Sequence, residues 1–512
     1  MATTAATTRT DASTDSTAPG AKGLKRNAIG YASNLVIAVA SVAPAYSLAA
    51  TLGLIVAVQG VGLQSPAVLL VSFIPMLLIA AAYKYLNRAD PDCGTTFAWA
   101  TRAMGPRAGW MGGWGIFIAD VIVMANLAQI AGIYTFHLWR ANPSSTSFGV
   151  VAVGILWIVV MTWICYRGIE LSARIQQILL TVEVLTLAAF AIVALIKVYA
   201  NNPPHSIQPS FSWVNPFDIS SPGALIDGVL LGLFIYWGWD SGVSVNEETE
   251  NSAETPGSAA VLSTILLLLI YVVVSLAAQA YAGPKALSAN SSDVLGFLGG
   301  KVFPRPLDLL LVITVLTSAS ASTQTTILPT ARTTLSMARW GAIPKVFGKI
   351  HARYQTPSVS TLAMGGLSIL WFVIVLLIST NVLSDSVTAL GFMIAFYYGL
   401  TGFACAIYYR RQLLSSARNF VLLGLAPLLG GVMLWAIFVK AMIFYGHRAN
   451  NYSPDAFGLG LPDVIGIIGL GLGIVLMIVS SFTLPEFFRR RPEVADPALL
   501  LADSGHREPD TA

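Results

Sequence analysis

Ala40-Ser41-Val42-Ala43-Pro44-Ala45-Tyr46-Ser47 lies in the middle of the first long apolar run of this chain, where a bilayer-spanning helix should be continuous. Proline removes a backbone donor and its ring clashes with the preceding turn, so the carbonyls near Ala40 and Ser41 lose their helical partners. Hydrocarbon cannot solvate them, and such a break survives only where protein or a wet cavity covers it. A second interruption, Tyr236-Trp237-Gly238-Trp239-Asp240-Ser241-Gly242, falls in the sixth apolar run. Two broken helices five runs apart are the pattern expected of a transporter with its site near the membrane midplane.

Composition sets the class. Of 512 residues, 55% are hydrophobic and 11% charged, against about 25% charged in a soluble domain. Twelve apolar runs follow one another, at roughly 34–57, 66–86, 109–136, 148–166, 175–199, 223–244, 257–282, 307–335, 358–379, 385–409, 419–444 and 462–484. Each is long enough to cross a hydrocarbon layer of about 30 Å. The expected fold class is all-α integral membrane, with twelve transmembrane helices of which helices 1 and 6 are broken.

Of the 29 Lys and Arg, 22 fall in segments on the same side as the N-terminus and seven on the other. Positive loops stay inside, so both termini are expected in the cytosol of a multi-pass plasma-membrane protein, in contact with membrane lipid. The net charge of +4 then reports topology, and no nucleic-acid partner is expected. The sixth-to-seventh connection breaks the pattern with Glu247, Glu248, Glu250 and Glu254, which need another explanation. Residues 1–22 and 493–512 are polar and read as disordered cytosolic tails. With no cleavable signal before it, the first span is expected to direct insertion.

Cys93, Cys165 and Cys405 show no metal or disulfide spacing, and the five histidines all fall in loops or tails. No metal and no cofactor is expected. A catalytic grouping on facing helices is not evident, nor is a repeated filter or charged pore ring. The chain therefore reads as neither enzyme nor channel.

The breaks carry the chemistry. Downstream of Pro44, the N–H groups of Ala45, Tyr46 and Ser47 are first-turn donors at a positive helix end, an expected carboxylate site. Ser41 and the carbonyls around Val42 and Ala43 suit an ammonium or a sodium ion. In span six, the carbonyls of Phe234, Ile235 and Tyr236 end a half-helix with negative character, Gly238 allows close approach, and Trp237, Trp239 and Tyr236 can close over a side chain. The plainer alternative is a proline kink with aromatics filling core. Charges inside the bilayer each cost about 2.5–3.5 kcal/mol at a helix centre and need a role. Asp240 is the foremost candidate for binding a cationic group or carrying a coupling proton, against a structural role capping the second half-helix. Asp120 and Glu183 are further proton candidates.

Several motifs together resemble the amino acid–polyamine–organocation superfamily of permeases over most of residues 25–410. They are Pro91-Asp92-Cys93-Gly94-Thr95-Thr96-Phe97-Ala98-Trp99, Tyr166-Arg167-Gly168-Ile169, Gly238-Trp239-Asp240 with Asn246-Glu247-Glu248, and Met337-Ala338-Arg339-Trp340-Gly341-Ala342-Ile343-Pro344. Glu250-Asn251-Ser252 and Asp240 depart from the commoner lysine-asparagine-proline and glutamate. The resemblance implies a LeuT-like 5+5 inverted repeat, with residues 23–199 as the first repeat, 200–410 as the second and 411–492 as two peripheral helices. An odd number of spans per half independently requires the halves to be oppositely oriented. It also implies hydroxyls of span eight, Ser318 and Ser322, as a candidate sodium site. The expected activity is secondary active transport of an amino acid by alternating access, proton-coupled or exchanging. A cationic amine or polyamine permease and a nontransporting nutrient sensor on the same fold are the alternatives.

The orientation is open to a direct check. Ser210→Cys, in the expected fifth-to-sixth extracellular loop, should react with an impermeant thiol reagent on intact cells; reaction only after lysis would invert the whole assignment.

Overall fold

The computed structural model describes residues 22–379, 381–447, 453 and 458–493. The expected tails lie outside the described residues except at Lys22 and Glu493. Neither of these two hangs free: Lys22 is fully buried, and the carboxylate of Glu493 accepts from Arg102 at 2.8 Å. The boundary drawn after residue 22 is thus too late, because acidic partners far along the chain hold Lys22 in place.

Among the described residues, twelve helices are long and apolar enough to cross a bilayer. Spans 1 to 6 are Tyr31–Ala57, Gly62–Ala89, Pro106–His137, Phe148–Arg167, Ile169–Asn201 and Pro222–Ser244; spans 7 to 12 are Thr255–Ala289, Leu309–Arg339, Ser358–Ile378, Val382–Tyr408, Ala417–Tyr445 and Leu461–Thr483. Span 7 is kinked at Gly283, φ +71°, just past the end of its apolar run, whereas span 5 runs on as helix beyond its own. Helical backbone satisfies its own hydrogen bonds, so it continues past the hydrocarbon where polar residues take over the sequence.

Two halves of five spans each begin with a broken helix. A nine-residue helix, Thr96–Met104, joins spans 2 and 3 of the first half, and another, Val294–Val302, joins spans 7 and 8 of the second. These two connectors occupy equivalent places in oppositely oriented halves, as an inverted repeat requires. Spans 1, 3, 8 and 10 form the interior, with 78–89% of their apolar windows buried. Spans 9, 11 and 12 form the rim, where 28–33% is buried; Leu377 and Phe482, each 81% exposed, present the face that hydrocarbon would cover. Spans 11 and 12 pack at the periphery. The Trp435 indole N–H donates to the Phe396 carbonyl at 3.2 Å, and the Trp114 indole to the Gly469 carbonyl at 2.7 Å.

Candidate functional site

Span 1 consists of two half-helices, Tyr31–Val42 and Pro44–Ala57, hinged at Ala43 with φ 51° and ψ 66°. That left-handed conformation is unusual for a residue bearing a Cβ. The carbonyls released by the break are taken up by protein. Ser322 donates to Ser41 O at 2.9 Å, Ser47 Oγ to Val42 O at 2.7 Å, and the Ala43 N–H to Ala40 O at 3.1 Å.

The donors released by the break are also occupied, which corrects the expectation of an open carboxylate site. The Ala45 N–H donates to Glu183 Oε1 at 2.7 Å, and the Tyr46 N–H to Ser318 Oγ at 3.1 Å. The Ser47 N–H bonds back to Ala43 O at 2.8 Å. Ser318 in turn donates to the same Glu183 oxygen at 2.7 Å. A carboxylate from span 5 therefore sits at the positive end of the half-helix, where charge and dipole attract each other. Its second oxygen is buried without a partner. The hydroxyl hydrogens of Ser318 and Ser322, the candidate sodium ligands, are both committed to protein acceptors.

Span 6 runs as a helix over Pro222–Tyr236, opens through Trp237–Asp240, and resumes for only four residues, Ser241–Ser244. Gly238 has φ +120°, and a Cβ built on it would stand 2.9 Å from Ser41 O. Such a contact leaves no room for any side chain. Three residues on, the Ser41 and Ser241 hydroxyls meet at 2.7 Å, and the Asn34 amide donates to Gly242 O at 2.8 Å. The two breaks are thus face to face. Of the half-helix carbonyls, Phe234 O accepts from the Trp237 N–H at 3.1 Å and Ile235 O from Tyr271 at 2.6 Å. Phe234 also meets Tyr46 edge to face, with ring centroids 6.2 Å apart. The hydroxyl of Tyr236 and the indole N–H of Trp239 are buried with no partner.

Asp240 makes no side-chain cap to the second half-helix, contrary to the capping alternative. It turns instead to span 10, where the Tyr397 and Tyr398 hydroxyls donate to its two oxygens at 3.1 and 2.9 Å. Tyr397 also receives the Trp237 indole N–H. Tyr83, Trp239 and Tyr398 form an aromatic wall beside it, with centroids 5.0–5.8 Å apart. Asp120 accepts from Thr330 of span 8. Tyr83, Tyr397, Tyr398 and Thr330 were not singled out from sequence, and neither was Gln324, whose buried amide has no partner at either end. The adjacent tyrosines in an otherwise apolar run were the one available signal.

The end of the molecule that carries the 2–3, 6–7 and 8–9 connections is sealed by buried ion pairs. Lys22 lies 2.8 Å from Asp92 and 2.6 Å from Glu247, while Arg332 forks onto Glu248 at 2.7 and 3.0 Å. Arg88 pairs with Glu254. Glu247, Glu248 and Glu254 of the acidic 6–7 connection are thus partners for basic groups from three other places in the chain. Ser336 and Trp340 complete the hydrogen bonding of Asp92 at 2.7 and 3.1 Å. Burial opposes ionisation of Asp92, but the Lys22 ammonium overrides it and holds the carboxyl below its usual range. Burial likewise opposes charge on Lys22, and its carboxylate partners raise it above the ordinary lysine value. A depressed carboxylate stabilises the fold above its unfolded pKa of about 3.9 and loses that contribution as pH falls, so this pair stays ionic across neutral pH. Glu248 shifts upward through burial, against the pull of Arg332.

Comparison with known proteins places this geometry in context. The family model described as amino acid permease matches residues 29–486. The chain is 26% identical over 291 residues to the branched-chain amino acid permease BcaP of Lactococcus lactis, covering 54% of this chain and 61% of that protein. It is 23% identical over 306 residues to the low-affinity putrescine importer PlaP of Escherichia coli, covering 58% and 65%. It is 22% identical over 441 residues to an arginine/ornithine antiporter of Latilactobacillus sakei, covering 80% and 89%. The matches to the first two therefore span less than two thirds of each relative's length.

The contact between the breaks generates a sharp expectation. Gly238→Leu combines a backbone conformation that favours glycine with a Cβ against Ser41 O, so ligand binding to the purified protein should be lost while membrane levels stay near normal. Ser41→Leu should do the same. Near-normal affinity in either variant would put the site elsewhere.

Proposed function

The chain belongs to the amino acid permease family, and from that premise we propose that it is a secondary active transporter of a small organic ammonium compound, an amino acid or a related amine. The observation that carries the reading is the apposition of the two breaks at Ser41, Gly238 and Ser241. A site at that point touches both halves of the repeat, so a rocking of one against the other exposes it to alternate sides. The buried seal of Lys22, Asp92, Glu247, Glu248 and Arg332 closes one of those sides. Ion pairs of this kind are costly to break one at a time, and opening would have to separate them together.

The charge distribution supports a plasma-membrane location with the sealed end and both termini facing the cytosol. Coupling to protons has three buried carboxyl groups to draw on, Asp240, Asp120 and Glu183. The Ser318 and Ser322 hydroxyls, which donate to Glu183 and the Ser41 carbonyl, are the oxygens sodium would use, but the three buried carboxyl groups make proton coupling or exchange the better-supported reading.

Reconstituted protein should show saturable uptake or counterflow of at least one compound in a panel of labelled amino acids and amines. An imposed inward proton gradient should raise net accumulation several-fold, with a sodium gradient having no comparable effect. Uptake of every compound at the rate of empty liposomes would refute the transporter reading.

A further inference from the structure

Three carboxyl side chains from three different spans, Asp120, Glu183 and Asp240, are buried in the interior. Among the described residues the buried basic side chains are Lys22 and Arg332. Both belong to the seal, where Asp92, Glu247 and Glu248 hold them. The region around the breaks thus carries buried acids and no buried base. Of its unpartnered groups, the Tyr236 hydroxyl, the Trp239 indole and the Gln324 amide are neutral and the second Glu183 oxygen is acidic; the neutral ones can orient a ligand, but none can offset a negative charge.

A second observation points the same way. The positive end of the span 1 half-helix is the natural place for a ligand carboxylate, and here the protein supplies its own. Glu183 and Ser318 hold the Ala45 and Tyr46 N–H groups at 2.7 and 3.1 Å, and the next amide is bonded within the helix. A ligand carboxylate would have to displace Glu183 and then lie among three acidic side chains, with no buried base beside them. An ammonium group meets the opposite situation: Asp240 inside a wall of Tyr83, Trp239 and Tyr398, with rings able to face a cation and a carboxylate to pair with it.

We propose that the substrate of this site is an organic cation without a carboxylate, a primary amine whose ammonium pairs with Asp240 against the aromatic wall, while Glu183 occupies the place of the carboxylate that an amino acid would bring. The inference rests on the transporter reading above and narrows it. Asp240 is then a ligand-binding residue and Glu183 a selectivity residue that acts by excluding a competing anion.

Matched pairs that differ only by the carboxylate test this directly: isoamylamine and leucine, cadaverine and lysine, agmatine and arginine. Binding to the purified protein and counterflow in liposomes are measured for all six. In each pair that binds, the amine should bind at least tenfold more tightly than its parent amino acid, and Asp240→Asn should reduce amine binding at least tenfold. Glu183→Ala should narrow the amine preference, which a purely structural role for Glu183 would leave unchanged. A parent amino acid binding as tightly as its amine, in any pair, overturns the inference while leaving the transporter reading intact. Failure of all six to bind or exchange, together with failure of the wider panel, overturns both.

Discussion

The contact between Gly238 and the Ser41 carbonyl is the constraint on which the rest of the molecule depends. Two helices interrupted inside a bilayer each expose backbone groups that hydrocarbon cannot satisfy. Bringing the interruptions together solves part of the problem, and the neighbouring spans solve the remainder. Ser322 and Ser318 of span 8, Glu183 of span 5 and Tyr271 of span 7 each reach one exposed backbone group at one or other break. The hydroxyl-rich character of span 8 follows from this duty. A helix lined with serine and threonine is a poor choice for facing lipid, but a good one for covering two broken neighbours.

The same logic explains the acidic 6–7 connection. Glu247 and Glu248 lie just after the four-residue remnant of span 6, so their ion pairs with Lys22 and Arg332 hold that remnant against the start of span 1 and the end of span 8. The Ala28 and Ile29 N–H groups donating to Glu248 O at 2.8 and 3.2 Å add a backbone link at the same place. The seal and the breaks are consecutive parts of one short stretch, so whatever separates the ion pairs also moves the residues that line the site.

Much of this architecture was legible in the chain itself. Span 1 was expected at 34–57 and runs over Tyr31–Ala57; span 6 was expected at 223–244 and runs over Pro222–Ser244. An apolar run bounded by the width of a bilayer leaves little freedom in where a helix lies. The breaks were legible because Pro44 and the glycines of 236–242 have no other reason to be there. What could not be read were the partners. Glu183 lies 138 residues from the amide it caps, and Tyr398 lies 158 residues from Asp240; periodicity carries no information about contacts at that range. Asp240 was therefore weighed for a cationic ligand or a coupling proton against a cap for its own helix, without sight of the span 10 tyrosines that hold it. At Ala45 and Tyr46, where a ligand carboxylate was expected, Glu183 of the same chain accepts the Ala45 N–H.

The central claim is that the breaks of spans 1 and 6 meet and form one site. Ser41→Cys and Ser241→Cys, combined in one chain, test it most directly, because the native hydroxyl oxygens lie 2.7 Å apart and a disulfide demands comparable proximity and direction. Mild oxidation of native membranes should form the intramolecular bond in most molecules, abolish uptake, and leave uptake restorable by reduction. Absence of the bond under conditions that oxidise a control pair, or full uptake with the bond in place, would contradict the account.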